Sequence, residues 1–322
     1  MKDRYIETEI GVLPEDWEVV KINDIANYVG SGTTPRGGAD VYKTEGITFI
    51  RSQNVYPNKL VLDDVVYIDE ATNEKMKRTI LQDNDVLLNI TGASIGRTAV
   101  LPSGFGRSNV NQHVCIIRLK EFFLPIYLSQ FINSSFGRKQ IDSYNGGSSR
   151  EGLNFKQVRD ILVTAPPLPE QRRIAEILSA TDAHLEKLET IIVDIQLLKK
   201  GMMQSLFTRG IGHTEFKDTE IGQIPKAWGV KQFKDIAEIL MGQSPSGDSY
   251  NNDSIGIALL NGPTEFGSVH PTPIQWTTKP TKICTVDDIL FCVRGSSTGR
   301  MNIMFTNSWT QNPENKINYT HE

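Results

Sequence analysis

The sequence repeats itself, and this repetition limits the folds open to the chain more than any other feature. Ten of the nineteen residues from position 8 to position 26 return at one constant spacing from position 219 to position 237. They are Thr8, Glu9, Ile10, Gly11, Pro14, Trp17, Val19, Asp24, Ile25 and Ala26, which return as Thr219, Glu220, Ile221, Gly222, Pro225, Trp228, Val230, Asp235, Ile236 and Ala237. Similarity at a fixed spacing is the signature of a repeated structural unit. The sequence therefore predicts two copies of one domain.

A second repeated block supports the duplication. It comprises Asp85, Leu87, Gly92, Ser94, Gly96 and Arg97, which reappear as Asp288, Leu290, Gly295, Ser297, Gly299 and Arg300. The two blocks occur in the same order in both copies. We therefore expect a function that uses two similar modules.

Length and composition are those of a soluble globular protein. The chain has 322 residues, of which 39% are hydrophobic and 22% are charged, and it can form two domains that each bury a core. No apolar run approaches the roughly 18 residues of a membrane span, and the N-terminal residues lack a secretory signal. The cysteines, Cys115, Cys284 and Cys292, form no C-x-x-C pair, so neither a disulfide framework nor a zinc site is expected. We expect a cytoplasmic protein with no membrane partner.

The charge balance disfavours a protein that binds nucleic acid without regard to sequence. There are 34 lysines and arginines and 38 aspartates and glutamates, which gives a net charge of −4. Non-specific binders are usually basic, because neutralisation of phosphates drives their affinity. The balance leaves open a sequence reader that obtains part of its phosphate contact from a partner protein.

Residues 1–168 have the pattern of a mixed α and β domain. Runs of β-branched and aromatic residues predict strands at 46–51, 65–68, 85–90 and 114–119. Helical spacing of apolar residues predicts a helix from Pro125 to Ile141. Strands and helices do not alternate regularly, so the α+β class fits better than a doubly wound sheet.

Residues 169–210 are predicted to form one long helix. Pro166, Pro167 and Pro169 end the preceding strand and begin the helix, because proline is tolerated in the first helical turn. Apolar residues then recur every seven positions, over roughly 50 Å of helix at 1.5 Å per residue. The predicted seam consists of Ile174, Ile177, Leu178, Thr181, Leu185, Leu188, Ile192, Ile195, Leu198, Met202 and Leu206. The helix is expected to end near Gly210 and Gly212.

Two interpretations of this seam are open. The helix can pack on the core of its own domain, or it can pair with another helix in a coiled coil. The seam is narrow and the helix is longer than a domain of this size, which favours the coiled coil. Since no second helix of this period follows residue 212, its partner would belong to another polypeptide.

Residues 211–322 are predicted to be a partial second domain. This copy is shorter than the first copy, and residues 306–322 are polar and without a period. We expect these last residues to match no element of the first copy and to form no packed element. We interpret the C-terminus as premature.

The start of the long helix carries the resemblance to a known family. The run from Pro166 to Gln171, followed by Ile174, Ile177 and Leu178, resembles the central conserved region of type I restriction-modification specificity subunits, the HsdS family. The openings of both copies, the block from Asp85 to Arg97 and the strand entry at Asn111, Gln112 and His113 are similar to the same family. The resemblance extends over about residues 5–305.

The resemblance implies two tandem target-recognition domains that each read half of a bipartite double-stranded DNA sequence. In the family, two conserved helices form an antiparallel coiled coil that holds the domains apart. They would dock the methyltransferase (M) subunits, and the restriction (R) subunits would complete the complex. This subunit would hold no cofactor itself, since S-adenosylmethionine, ATP and Mg are expected in the partner subunits. This chain lacks the second conserved helix, so we expect a truncated subunit whose two copies pair their central helices as a homodimer.

Candidate DNA contacts lie at strand ends, where binding residues are usually mounted. Arginine reads guanine and Asn or Gln reads adenine, while a glycine-rich turn can hold a phosphate. The candidates are Arg51, Ser52, Gln53, Asn54, Arg97, Arg107, Asn111, Gln112, His113, Ser148 and Arg150. The alternative for each residue is an ordinary solvated loop, and the glycines of 92–97 can simply form a tight turn.

Catalysis is not expected of this chain. It lacks the Asn-Pro-Pro-aromatic motif of adenine methyltransferases and a glycine-rich cofactor turn between a strand and a helix. The prediction is a non-catalytic DNA-specificity subunit. Two other functions stay open: an inactive remnant or reservoir of recognition sequence for recombination, and a protein–protein adaptor without a DNA role.

Overall fold

The chain divides into two compact units, residues 1–195 and 196–322. Its structure is a computed structural model that describes residues 4–35, 37–145, 152–260, 262, 264–305, 309–311 and 315–319. Each unit has its own sheets and its own buried cluster of apolar side chains.

The first unit consists of short strands and helices that precede one long helix. Its strands are β1 (Tyr5–Thr8), β2 (Gly11–Pro14), β3 (Glu18–Lys21), β4 (Ala26–Ser31), β5 (Ile47–Ile50), β6 (Val55–Tyr56), β7 (Lys59–Leu60), β8 (Val66–Ile68), β9 (Val86–Asn89), β10 (Thr98–Val100), β11 (Ser108–Val110), β12 (Val114–Leu119) and β13 (Leu162–Ala165). Its helices are α1 (Ile22–Ile25), α2 (Glu70–Lys75), α3 (Pro125–Asn133), α4 (Ser135–Asn145) and α5 (Phe155–Asp160), and α6 (Leu168–Arg209) continues into the second unit.

The repeated opening of the sequence forms the hairpin β1–β2. Gly11 has a φ of +129°, which suits glycine because it lacks a Cβ. After the hairpin, the Trp17 backbone N–H donates to the Pro14 carbonyl at 3.0 Å. The Trp17 indole Nε1–H then donates to Glu170 Oε2 in the first turn of α6, at 3.1 Å. The opening motif therefore holds the start of the long helix.

The core of the first unit lies on both faces of an antiparallel sheet with the order β10-β9-β12-β4. Val86 and Ile117 point to the face covered by α3, where they pack with Leu128. Leu87 and Ile116 point to the opposite face and pack beside residues of a second sheet with the order β11-β5-β8. A sheet with helices on one face confirms the predicted α+β class.

The helix predicted from Pro125 to Ile141 is in fact two helices, so this prediction was wrong. Ser134 separates α3 from α4, and its backbone N–H and its hydroxyl both donate to the Phe131 carbonyl, at 3.1 and 2.6 Å. At Gly137 an added Cβ would lie 2.5 Å from Ile132 Cα, so glycine permits this close turn. The apolar period alone does not reveal the break, because both helices bury apolar residues in one core.

The long helix α6 is continuous over 42 residues, or about 63 Å at 1.5 Å per residue. It ends where predicted, because Gly210 adopts a φ of +65° and its N–H donates to the Leu206 carbonyl at 3.0 Å, as in many helix C-caps. Only Gln171 and Ala175 are buried along the helix. Full burial against the domain is therefore confined to the first turns of the helix.

The second unit repeats the first at the level of the sheet. Its strands are β14 (Phe216–Thr219), β15 (Gly222–Pro225), β16 (Ala237–Met241), β17 (Tyr250–Asn251), β18 (Ile257–Leu260), β19 (Trp276–Thr277), β20 (Ile283–Cys284), β21 (Ile289–Phe291), β22 (Met301–Ile303), β23 (Trp309–Gln311) and β24 (Asn315–Tyr319). The order β22-β21-β24-β16 corresponds strand for strand to β10-β9-β12-β4. The two tandem domains are therefore copies in structure as well as in sequence.

The expectation that residues 306–322 match nothing in the first copy was wrong. Strand β23 runs parallel to β18, as β11 does to β5. Strand β24 lies between β16 and β21 and pairs with both, as β12 does between β4 and β9. The polar composition hid these strands, because backbone pairing on two sides stabilises a strand whose own β-propensity is low.

Candidate functional site

The repeated block from Gly92 to Arg97 forms a tight turn between β9 and β10. Gly92 and Gly96 have φ values of +73° and +84°, which explains the glycine at both positions. The Gly96 N–H donates to the Asn89 carbonyl at 2.9 Å, and the Arg97 N–H donates to the Ser94 carbonyl at 3.2 Å. The turn therefore presents Arg97 from a constrained backbone.

The second copy contains the same turn with the same bonds. Gly295 and Gly299 have φ values of +78° and +93°. The Gly299 N–H donates to the Cys292 carbonyl at 2.9 Å, and the Arg300 N–H donates to the Ser297 carbonyl at 3.0 Å. Arg300 lies over the Phe266 ring, with 5.9 Å from its Cζ to the ring centroid.

The segment from Arg51 to Asn54 forms a second constrained loop, directly after β5. Asn54 is fully buried; its Oδ1 accepts from the Arg51 N–H at 3.0 Å and its Nδ2 donates to the Val61 carbonyl at 3.0 Å. Arg51 Nη2 donates to the Asp64 carbonyl at 2.7 Å, and the Gln53 amide donates to the Asp64 carboxylate. Asn54 therefore holds the loop, while Gln53 remains exposed on it.

One buried amide joins the two loops. Asn89 Nδ2 donates to the Ser52 carbonyl at 2.8 Å and to Ser94 Oγ at 3.1 Å. Asn89 itself has no exposed surface. The relative position of the loop after β5 and the turn after β9 is therefore set from within the core.

The two loops and the entry to β12 surround an open depression of about 470 Å³. It is lined by Ser52, Gln53, Tyr56, Thr91, Gly92, Ala93, Ser94, Arg97 and His113. The Arg97 guanidinium lies over the Tyr56 ring, 5.1 Å from its centroid. His113 Nδ1 lies 2.5 Å from Thr91 Oγ1. Three segments that the sequence analysis singled out separately therefore meet at one surface.

Several predicted residues lie elsewhere. Arg107 pairs with Glu70, with 2.8 Å from Nη1 to Oε2, and this hydrogen bond lowers the pKa of the Glu70 carboxyl below its usual value. Asn111 is buried, and its Oδ1 accepts from the His113 N–H at 3.1 Å. The predicted residues Ser148 and Arg150 lie outside the described residues.

The predicted residues divide into those that line the depression and those that hold loops in place. Ser52, Gln53, Arg97 and His113 line the depression, and Gln112 lies exposed beside it, with its Nε2 3.4 Å from His113 Nε2. Asn54 and Asn111 hold loops in place through their side chains. The sequence pattern did not separate contact residues from loop anchors.

Sequence reasoning missed Tyr56 and Thr91. Both line the depression, but the predicted contacts were Arg, Asn, Gln, His and Ser side chains, and neither Tyr56 nor Thr91 was among them. The available signal for Tyr56 was an aromatic residue two positions after Asn54, beside a predicted contact segment. An aromatic ring beside an arginine attracts the guanidinium to its face, so Tyr56 can hold Arg97 in position at the surface.

The chemistry of the depression suits binding. It offers a guanidinium, a carboxamide, three aliphatic hydroxyls, an imidazole and a phenol ring. Within the described residues, no three His, Cys, Asp or Glu side chains come together as a metal site requires. No described helix is both long enough and apolar enough to cross a membrane.

The predicted seam of α6 is a second candidate surface. Ile174 packs against the core of the first unit, and Thr181 Oγ1 donates to the Ile177 carbonyl at 2.9 Å. The other apolar seam residues are between 42% and 62% exposed: Ile177, Leu178, Leu185, Leu188, Ile192, Ile195, Leu198, Met202 and Leu206. Along most of its length the seam is therefore not part of the core of either unit.

Comparison with known proteins places these features in a family. Residues 14–196 match the family described as type I restriction modification DNA specificity domain. The chain is 30% identical over 309 residues to a putative type I restriction enzyme MjaX specificity subunit of Methanocaldococcus jannaschii, which covers 94% of this chain and 72% of that protein.

Further matches agree. The type I restriction enzyme MjaVIII specificity subunit of the same organism is 30% identical over 232 residues, and the match covers 72% of this chain and 51% of that protein. This chain therefore spans about half the length of that relative. A solved structure described as showing complex assembly and conformational transition of the type I R-M system has a TM-score of 0.63 at 20% identity, covering 95% of this chain and 76% of the other. That similarity concerns the fold.

Proposed function

The chain belongs to the family of type I restriction-modification DNA specificity subunits, and on this premise we propose that its first domain reads one half of a bipartite DNA target. The observation that carries the proposal is the convergence of three strand-end segments at one open depression, with Arg97 over Tyr56. The names of the relatives with matching sequences are consistent with DNA recognition.

The residues of the depression suit two kinds of contact. Arg97 can bind a phosphate or the acceptor edge of guanine, and Gln53 and Gln112 can bind adenine through their amides. The turn residues Gly92, Ala93 and Ser94 line the same surface, and backbone N–H groups of such a turn can donate to a phosphate oxygen. Phosphate contacts would position the domain, and amide contacts would select the sequence.

The test compares matched arginines on the first domain. Arg97→Ala and Gln53→Ala are expected to weaken binding of target DNA by the subunit in complex with its methyltransferase. Arg107→Ala removes the same charge from a side chain that pairs with Glu70 outside the depression, and it is expected to have a smaller effect. Equal losses from Arg97→Ala and Arg107→Ala in a titration of labelled DNA would contradict the assignment of the depression.

The exposed seam of α6 supports a homodimer. Large aliphatic side chains contribute roughly 1.5–3 kcal/mol each when fully buried, so an exposed row of them favours a partner. Two copies of α6 in antiparallel pairing would cover both seams by two-fold symmetry. Both half-sites would then be read by residues 1–168, and the target would be an interrupted palindrome.

Leu188 provides a sharp test because it lies near the middle of α6 and is 55% exposed. In an antiparallel pair it would face the same region of the second copy, so Leu188→Glu would bring like charges together. We expect this variant to be monomeric by light scattering at a concentration where the unchanged chain is dimeric. Mapping of methylated adenines in cells carrying the subunit gives a second test, because two unrelated half-sites would exclude the palindrome.

Docking of the methyltransferase subunits is the remaining part of the proposal. Apolar residues outside the seam are also exposed on α6, among them Val193 at 62%, Leu197 at 68% and Phe207 at 72%. They offer a separate apolar surface for a second partner. Val193→Glu is expected to weaken capture of the methyltransferase and to leave the homodimer intact, whereas Leu188→Glu is expected to abolish the homodimer.

The methyltransferase and restriction subunits would supply the chemistry. S-adenosylmethionine, ATP and Mg would be bound by those subunits, and this chain would contribute sequence recognition and no catalytic step. Purified subunit alone is expected to methylate no DNA, while addition of the methyltransferase restores methylation. Methylation by the subunit alone would contradict this assignment.

A further inference from the structure

The tip of the hairpin β6–β7 is anchored by one asparagine. Asn58 has a left-handed φ of +59°, which asparagine tolerates better than most residues. Its N–H donates to the Thr98 carbonyl at 2.8 Å. Its Oδ1 accepts from Asn133 Nδ2 at 2.8 Å and from Ser129 Oγ at 3.2 Å. The tip is therefore fixed to β10 and to α3.

The same tip reaches the long helix. Asn58 Nδ2 donates to Asp182 Oδ2 at 3.1 Å, and Lys59 Nζ pairs with Glu186 Oε1 at 2.9 Å. Asp182 and Glu186 are four residues apart, so they lie on one face of α6. The hydrogen bond to Glu186 raises the pKa of the Lys59 ammonium above its usual value. Two adjacent hairpin residues thus hold two successive turns of the helix.

A second contact joins the helix to α3 nearer its start. Gln130 Nε2 donates to Ser179 Oγ at 3.1 Å and to the Ala175 carbonyl at 3.3 Å. Together with the bond from Trp17 to Glu170, the contacts of the first domain extend along α6 as far as Glu186. The hairpin supplies the contacts farthest from the helix start.

The same hairpin also contributes Tyr56 to the recognition surface. Tyr56, two residues before Asn58, lies under Arg97. Arg97 immediately precedes Thr98, whose carbonyl accepts the Asn58 N–H. Tyr56 pairs with Lys59 across the hairpin. The hairpin therefore contacts the depression through Tyr56 and the helix through Asn58 and Lys59, all within four consecutive residues.

We propose that Asn58 and Lys59 are positioning residues that set the direction of α6 relative to the recognition depression, and thereby the separation of half-sites that the subunit accepts. The effect on half-site separation rests on the proposed function. Lys59 and Glu186 are about half exposed, and exposed ion pairs add little to folding stability. Their loss is therefore expected to change the direction of the helix and not the folding of the domain.

Asn58→Asp isolates the helix contact. Its carboxylate can still accept from Asn133 and Ser129, and aspartate also tolerates a left-handed backbone, but one oxygen would face the Asp182 carboxylate. Asp182→Asn in the same chain restores a donor opposite that oxygen, so the double variant is the rescue. Asn252→Asp makes the same charge change at an exposed position of the second unit and serves as the control.

The direction of the helix can be measured without DNA. Spin labels at Lys139→Cys on α4 and Asp194→Cys on α6 report it, because both positions are exposed and the native cysteines are buried. Labelled chain is diluted with unlabelled chain to suppress distances between copies. We expect one narrow distance distribution in the parent and control, at least a twofold wider distribution in Asn58→Asp, and recovery in the double variant. Equal widths in Asn58→Asp and the control would overturn the proposal.

A second measurement tests the consequence for DNA. The complex with methyltransferase is titrated with targets whose half-sites are separated by different numbers of base pairs. The parent is expected to prefer one separation, and Asn58→Asp to accept neighbouring separations within about twofold of the preferred one. Wider distances with an unchanged separation preference would overturn the link to half-site spacing. Failure of the parent to bind any target would contradict the proposed function alone, because the distance measurement involves no DNA.

Discussion

The two copies of the repeated domain each contain a sheet with the same strand order, but the faces of the two sheets are covered differently. In the first copy, α3 packs on the face that carries Val86 and Ile117. In the second copy, the described residues that follow α6 include short 3₁₀ turns and strands but no α-helix. The same strand order therefore occurs with and without a helical layer in the described chain.

One row of residues across each sheet shows the effect of that layer. Val29 and Val86 lie in one row across the first sheet and are 7% and 0% exposed. Ile239 and Ile289 occupy the matching row of the second sheet; Ile239 is 47% exposed. At the end of this row, Ile303 pairs with Ile289 and is 40% exposed. The row is apolar in both copies. The first copy buries Val29 and Val86, while Val100, which pairs with Val86 at the end of the row, is only partly buried. The difference in burial is therefore clearest between Val29 and Ile239.

The opposite face is similar in the two copies. Leu290 and Met304 are 0% and 1% exposed, as Leu87 and Leu101 are 0% and 1% exposed in the first copy. The repeated turn between the two central strands also keeps its bonds. The repeated residues therefore specify the sheet and its turn, while burial of the second face depends on residues outside the repeat.

The largest expected difference in the free energy of unfolding concerns the helical layer, which covers one face of the sheet in the first copy. Leu128→Ala removes a fully buried side chain of α3 and is expected to lower the free energy of unfolding by about 2–5 kcal/mol, since it leaves a cavity. Ile303→Ala, at the exposed row of the second sheet, is expected to change it by less than about 1 kcal/mol. Urea unfolding of both variants measures the difference, and similar losses would show that the exposed row is covered in solution.

Replacement of the repeated aspartate is expected to destabilise the first copy more than the second, and this is the second largest difference. Asp85 is fully buried and pairs with Arg118, with 2.7 Å from Nη2 to Oδ2, so Asp85→Asn is expected to destabilise by up to about 3 kcal/mol. Asp288 accepts from the Thr285 N–H and hydroxyl, and asparagine can keep one of these bonds, so Asp288→Asn is expected to lower stability by about 1 kcal/mol. Thermal unfolding ranks the two variants, and the reverse order would contradict this comparison.

DNA affinity should distinguish the two repeated arginines. Under the homodimer proposal, Arg97→Ala is expected to weaken target binding at least about tenfold, or about 1.4 kcal/mol. Because each of the two copies loses one arginine, the salt slope is expected to fall by about 2 if Arg97 binds a phosphate. Arg300→Ala is expected to leave affinity within about twofold. Titrations at several salt concentrations test this, and equal losses would mean that both copies read DNA.

The smallest expected effect is a loss of folding stability of the first copy at alkaline pH. Burial raises the pKa of the Cys115 thiol and of the Tyr127 phenol, each to about 12. Folding therefore favours the protonated forms, so their contribution is complete below the unfolded pKa values and is lost as pH rises toward 12. We expect a loss on the order of 1 kcal/mol between pH 8 and pH 10. Urea unfolding should show a smaller pH dependence for Cys115→Ala than for the parent.

Local patterns were sufficient for much of the fold. The heptad spacing and the flanking Pro and Gly residues predicted α6 nearly to its ends, because helix periodicity and helix caps depend on residues close in sequence. The duplication predicted a shared architecture, and the shared sheet order confirms it. The break at Ser134 and the strands β23 and β24 were missed, because each depends on packing or pairing with distant residues.

The sequence indicated the segments that form the depression, but not that they meet at one surface. Arg97 and Gln53, which the sequence indicated because their side chain types read DNA, both line the depression. Tyr56, which lies under Arg97, was not among the predicted residues. Whether Asn54 or Gln53 faced solvent was not predictable, since both lie in one short polar loop.

The sequence by itself determined the repeated unit, the long helix and the residue types available for recognition. These features are local, or they recur at fixed spacing. The tertiary structure alone decided which polar side chains meet at the depression, which anchor loops, and that Asn58 and Lys59 reach α6. Those contacts join residues up to 127 positions apart, and their geometry depends on how sheet and helix pack in three dimensions.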